Sequence, residues 1–242
     1  RDWMALLLAR DWRTRSVGEV SSLEEAVSFF KSPAERPNCL LVDTDLLGPA
    51  PSAALSALPG APLVILIGKT AAEIHLPIPG LRGYLLKPEI GDALGWAVAL
   101  VDTNQWVITP GVVDTLRAAR LPAAPGAVVL VLDGRKSIHS LSEHEAKVAR
   151  MALIFSMERR ELSDELKISA DWSYGLVSSI YQKLGMSEIL SGEIDAETFL
   201  GRQFAENPRF QEALNSAGKA RHNDLESLAF HILTMPEITE LM

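Results

Sequence analysis

The sequence predicts an α/β fold, a doubly wound parallel sheet in the first half of the chain, followed by an all-α second half. Three observations predict it. Short apolar runs alternate with helical stretches as far as Asp102. The runs are continuously apolar, as in strands covered by helices on both faces. From Leu141 onward no strand pattern appears.

Taken in order, RDWMALLLAR (1–10) reads as a helix and RSVGEV (15–20) as a strand. SSLEEAVSFFK (21–31) reads as a helix in which Ser22 is the N-cap and Glu25 closes a capping box. NCLLVD (38–43), PLVILIG (62–68) and GYLLK (83–87) read as strands. Between and after them PSAALSAL (51–58), TAAEI (70–74) and EIGDALGWAVALVD (89–102) read as helices. Such alternation is the pattern of a doubly wound sheet. Pro122, Pro125 and Gly126 mark a linker, after which AVVLVLDG (127–134) reads as one more strand. Helices are expected near 142–154, 158–167, 170–184, 195–206, 208–217 and 222–234.

The chain has 242 residues, enough for one or two domains that each bury a core. Its 48% apolar and 22% charged residues exclude a disordered chain. Cys39 is the one cysteine, so no disulfide can form within the chain, which fits a reducing compartment. In the run CLLVD it reads as a small buried hydrophobe. No stretch approaches the ~20 apolar residues that span a bilayer, and the charged opening is not a secretory signal, so a cytoplasmic protein without membrane contact is expected. Net charge is −8. Residues 1–137 carry 13 basic and 14 acidic side chains, 138–186 carry 6 and 7, and 187–242 carry 4 and 10. No segment has the basic excess that phosphate contacts with nucleic acid usually require. There is no Gly-rich phosphate loop, and the histidines at 75, 139, 144, 222 and 231 lack metal-ligand spacing, so no enzyme is expected.

LLARDWRTRSVGEVSSLEEAV, RPNCLLVDTDLLGP, RGYLLKP and NQWVITPGV, in this order and spacing, resemble the receiver domain of two-component response regulators of the NarL/LuxR type. The resemblance implies a flavodoxin-like fold over about residues 1–116, with Asp43 as phosphoacceptor candidate and Lys87 as the lysine that pairs with the phosphoryl oxygens. Phosphoryl transfer would also need a divalent cation, Mg, held by further carboxylates; no other cofactor is expected. Two features depart from the family. The acidic pair at the end of a first strand is not seen before RDWMALLLAR, and Ile67 or Gly68 stands where a hydroxyl residue is expected. The reading is therefore a pseudo-receiver, in which Asp43 caps a loop and Lys87 is a solvated strand-end charge. Two routes would restore a working site: upstream residues carrying the strand and its acids, or VVLVLDG (128–134) as a displaced first strand with Asp133 as the acid.

LSEHEAKVARM (141–151) and ERRELSDELKISADWSYGLVSSIYQKLGM (158–186) resemble the helix-turn-helix of the same subfamily, over residues 141–186, with 117–140 as linker. Ser169 would cap the recognition helix, and Ser173, Val177, Ile180 and Leu184 would face inward. Its outward face would show Asp171, Trp172, Tyr174, Gly175, Ser178, Ser179 and Gln182. The DNA-binding candidates are Arg159, Arg160, Trp172, Tyr174, Ser178, Ser179 and Lys183. Residues 187–242 form an acidic helical extension that either covers the helix-turn-helix core or offers a dimer or partner surface. The function expected is a phosphorylation-independent transcriptional regulator acting on DNA as a homodimer. The alternative is a signalling adaptor that docks a protein through the Trp172/Tyr174 face or the extension.

Overall fold

The computed structural model describes residues 2–31, 36–47, 51–71, 78–101, 104–120, 126–136, 139–215 and 222–241. It divides into two compact units, Thr14–Gly134 with Pro236–Met242, and Arg1–Arg13 with Arg135–Met235. The division differs from the expected boundaries at three places. The opening helix groups with the second unit, the sheet unit runs on to residue 134 instead of ending at 116, and the last residues return to the first unit. Most of the helix expected over 70–74, the linker prolines Pro122 and Pro125, and His75 lie outside the described residues.

After α1 (Asp2–Arg10), the sheet unit contains α2 (Leu23–Phe30), β1 (Cys39–Asp43), α3 (Pro51–Ser56), β2 (Leu63–Gly68) and β3 (Leu81–Leu86). It continues with α4 (Lys87–Ile90), α5 (Leu94–Leu100), β4 (Gln105–Ile108), α6 (Val113–Ala118) and β5 (Val128–Asp133). These five strands are parallel and ordered as in the sequence; β6 (Glu237–Leu241) pairs antiparallel with β5. The architecture is α/β with a six-stranded, mostly parallel sheet. It is compatible with a flavodoxin-like domain, though the strand order never reverses as it does in the 2-1-3-4-5 order.

Successive side chains of the strands point to opposite faces of the sheet. Val42, Val64, Leu66, Tyr84, Leu86, Trp106, Ile108, Val129 and Val131 form one core with Ala26 and Phe30 of α2, Leu55 of α3 and Leu116 of α6. The alternate residues Ile65, Ile67, Leu85 and Val107 are buried as well, which explains why the runs are apolar throughout. Three expectations are corrected. RSVGEV makes no strand: Gly18 lies against the Phe29 ring and Val20 packs on the core, with no ladder partner. The helix expected over 89–102 breaks at Gly91, which adopts φ +48, into α4 and α5. NQWVITPGV, which is not among the expected strands, supplies strand β4.

The helical unit holds α1, α7 (Glu143–Ala149), α8 (Arg159–Leu166), α9 (Ala170–Lys183), α10 (Met186–Ser191), α11 (Ala196–Leu200), α12 (Arg202–Ala205), α13 (Pro208–Asn215) and α14 (His222–Leu233). α7 runs into a π-helical turn, Arg150–Ile154, on which α1 and α14 both pack. Trp3 of α1 meets Phe155 at 5.5 Å between ring centroids, and the Arg150 guanidinium lies over the Trp3 ring at 5.2 Å. Leu228, Phe230 and Ile232 of α14 and Phe210 of α13 are buried, so the extension covers core. Two expectations change here. The helix expected over 195–206 is interrupted at Gly201 (φ +87), and the all-α second half ends in strand β6. Among the described residues no helix is long and apolar enough to cross a membrane.

Candidate functional site

Because β1, β2 and β3 are parallel, their carboxyl ends lie on one edge of the sheet, where ligands of α/β sheets are usually held. Asp43 closes β1, and Lys87 follows the last residue of β3. The lysine reaches past β2, its Nζ 2.6 Å from Asp43 Oδ2, with both side chains about 30% exposed. The other carboxylate oxygen of Asp43 accepts the Asp45 N–H at 3.1 Å, capping the short turn Thr44–Leu46. Asp43 thus caps a loop, as expected, and also holds Lys87, which is not the solvated charge expected. The sequence reading missed the next pair along the edge, Asp45 and Lys69 at 2.9 Å. Lys69 directly follows the apolar run LVILIG, and a charge at a strand end was the available signal. Its hydrogen bond, first among the causes, holds the Asp45 carboxyl below its ordinary range.

Gly68 ends β2 between the two pairs. A Cβ there would lie 2.7 Å from the Tyr84 hydroxyl and 3.2 Å from Thr44 Cγ2. The space a side chain at this position would fill is taken by Tyr84, whose hydroxyl donates to the Thr70 carbonyl. Ile67, the other candidate for the hydroxyl position, is buried. Thr109, also buried, accepts the Leu86 N–H at 2.9 Å through its hydroxyl and fixes the end of β3.

A divalent cation does not fit this edge. Asp43 and Asp45 are each held by a lysine, and among the described residues no group of three His, Cys, Asp or Glu side chains converges. Asp133 is no substitute. It sits on β5, separated from β1 by β2, β3 and β4, or about 19 Å at the usual strand spacing, and its register partner is Glu237. The displaced-strand route is therefore overturned. Cys39 begins β1, half-buried instead of fully buried as expected, and desolvation pushes its thiol up to about 12, which disfavours the thiolate.

The second candidate site is the outward face of α9. α8 ends at Lys167 in a left-handed conformation (φ +55), and Ser169 accepts the Trp172 N–H at 3.2 Å to start α9. Ser173, Val177, Ile180 and Leu184 are buried, as their spacing predicts. Trp172 and Tyr174 are 56% and 60% exposed, and Asp171, Gly175, Ser178 and Gln182 lie on the exposed side with them. Ser179 is half-buried and belongs to the flank of this face.

The three candidate cations differ. Arg160 is exposed. Arg159 lies over the Tyr174 ring at 5.8 Å and also interacts with the Tyr181 hydroxyl. Lys183 bonds Glu145 Oε2 at 2.8 Å, joining α9 to the capping box of α7. That bond first, then those from the Ser142 N–H and hydroxyl, hold the Glu145 carboxyl down at about 2. The units also redistribute charge relative to the sequence segments. The helical unit carries 15 basic and 17 acidic residues, a net of −2, and the sheet unit 8 and 14, a net of −6. No protein-family model matches the chain, and no curated protein matches it significantly.

Proposed function

We propose that the protein is an atypical regulator of the response-regulator type, cytoplasmic and non-enzymatic, that works without aspartyl phosphorylation and acts on DNA as a homodimer. In this reading α8 and α9 are a helix-turn-helix, and α9 is its recognition helix. The observation that carries it is the presentation of α9: Ser169 caps it, one face is buried in the helical unit, and Trp172, Tyr174 and Ser178 lie along the other. The engagement of the cations does not remove them. Breaking an exposed cation–π contact costs about 0.5–1 kcal/mol, and Lys183 stays partly exposed in its pair with the half-buried Glu145. Arg159, Arg160 and Lys183 can therefore turn to phosphate. Three such contacts give a log–log salt slope of about −2.7, and a dimer about −5.4. On the sheet edge, Lys87 is paired with Asp43, and among the described residues no group of carboxylates converges there to hold a metal.

A protein-docking adaptor is the second reading, favoured by the composition of the α9 face. Exposed Trp and Tyr with an Arg over one ring are the residue types that dominate protein interfaces. Salt-titrated capture of genomic DNA decides between the two. The DNA reading expects capture with a slope in the stated range, weakened on all sequences alike by Arg159→Ala with Arg160→Ala. Trp172→Ala or Tyr174→Ala should alter which sequences are kept. No capture at low salt by a protein that light scattering shows to be dimeric removes the DNA reading.

A further inference from the structure

The segment that follows α1 and the end of α14 hold a buried cluster of ionisable groups that the reading above does not use. His231 has no exposed side-chain surface, and Asp11 has almost none. Arg13 clamps the Asp11 carboxylate, its Nε at 3.0 Å from Oδ1, its Nη2 at 2.7 Å from Oδ2, and its own backbone N–H at 2.9 Å from Oδ1. The clamp outweighs burial and keeps Asp11 well below the ordinary carboxylate range, hence ionised. The imidazole of His231 lies between the rings of Trp12, at 4.9 Å, and Phe230, at 5.3 Å. Its Nδ1 is 2.7 Å from the Ser227 carbonyl and must donate to it.

The other ring nitrogen faces two partners of opposite kind. Nε2 is 3.2 Å from the Trp12 backbone N–H, a donor, and 3.3 Å from Asp11 Oδ1, an acceptor. In one protonation state it can serve only one of them. We propose that His231 is a proton-operated latch on the Asp11–Arg13 segment. The neutral ring accepts the Trp12 N–H, and the protonated ring releases that N–H and donates to Asp11 instead. No bond other than the N–H at Nε2 is made or broken. Charged groups around the latch are Asp11 and Arg13, just after α1, and Arg10, the last residue of α1, over the Phe230 ring at 5.4 Å. Glu226 of α14 and Tyr181 of α9 act on Arg10, and Arg159 acts on Tyr181. Arg13 is the last residue of the helical unit before the chain passes into the sheet unit at Thr14. The latch therefore acts on the last backbone residues of the helical unit's opening segment.

The test is a titration of the full chain labelled with ¹⁵N-histidine, from pH 8 to pH 5, with amide exchange of Trp12 followed alongside. Exposed His139 and His144 are assigned by their Gln variants. The expected result is a neutral His231 with its proton on Nδ1 at pH 8, which takes up one proton at Nε2 on acidification. The protection factor of the Trp12 amide should fall at least tenfold in the same step. Asp11→Asn should move the step down by about one pH unit, since it removes the negative partner. In His231→Gln the amide step should disappear. A ring that stays neutral to pH 5, or one that protonates while Trp12 protection stays constant, overturns the proposal. The titration of the unaltered chain decides this even where Asp11→Asn does not fold.

Discussion

Tyr84 fills the space beside Gly68 with its hydroxyl, so the residue that looks replaceable in the sequence is held by its neighbour. Gly68→Ser, which supplies the hydroxyl expected of a receiver, should destabilise the sheet unit by about 1–3 kcal/mol through overpacking. Adding Tyr84→Phe should recover part of the loss, measured by urea unfolding. At the neighbouring Asp43, the pairing with Lys87 leads to a second expectation. Acetyl phosphate should leave the intact mass unchanged, and a stoichiometric phosphoryl adduct absent from Asp43→Asn would sink the phosphate-independent reading. Glu145 supplies a pH dependence. Its carboxyl is held at about 2 in the folded protein against 4.5 ordinarily, so the unfolded chain binds more protons between these values. The stability this contributes is complete above the unfolded value and is lost as pH falls through about 2. Circular dichroism of acid unfolding should show this loss, and Lys183→Met should flatten it. Asp43 and Lys87 were legible as residues, because strand ends are visible in the sequence. Their direct pairing was not, since it depends on β1 and β3 flanking the same strand.

α9 was the most legible element. A serine cap and a helical spacing of inward residues agree in sequence and structure, and the helix ends at Lys183, one residue short of the expected 184. Each local rule that supports it can be tested. Ser169→Ala should cost about 1 kcal/mol through the lost cap. Gly175 has nothing within 4 Å of where a Cβ would stand, so Gly175→Ala should add about 1 kcal/mol of stability. Both are read by urea unfolding of the helical unit, and a neutral Gly175→Ala would mean the glycine is strained or contacted in solution. Elements that failed did so for local reasons the pattern hides. RSVGEV has strand-forming residues, but a strand needs a partner to complete its hydrogen bonds. The continuous helix expected over 89–102 ignored Gly91, whose positive φ ends α4 after one turn.

For the whole molecule, the two ends of the chain exchange places: α1 belongs to the helical unit and β6 to the sheet unit. Truncations should then act at a distance in sequence. Removing residues 237–242 should raise hydrogen exchange in β5, which loses its antiparallel partner, and leave α9 unchanged. Removing residues 1–10 should raise exchange in the π-helical turn and α14, and leave β2 and β3 unchanged. Hydrogen exchange with mass spectrometry reads both. Uniform loss of protection in either truncation would show that the units do not fold separately. The acidic character assigned to residues 187–242 also dissolves at this scale, because most of that segment shares a unit with the basic residues of α1, α8 and α9.

By itself the sequence determined what local chemistry fixes: which runs are strands buried on both faces, where α9 begins, which of its residues face inward, and the absence of a disulfide. Apolar periodicity, caps and composition act over a few residues, so they can be read without knowing what lies across the core. Tertiary structure alone decided what depends on distant partners. It placed β5 beside β4 and far from Asp43, sent β6 back to the sheet, and took α1 into the helical unit. It also set His231 against Asp11, 220 positions away. Such pairings follow from how faces of similar hydrophobicity choose among one another, and that choice is settled by complementary packing of the whole chain.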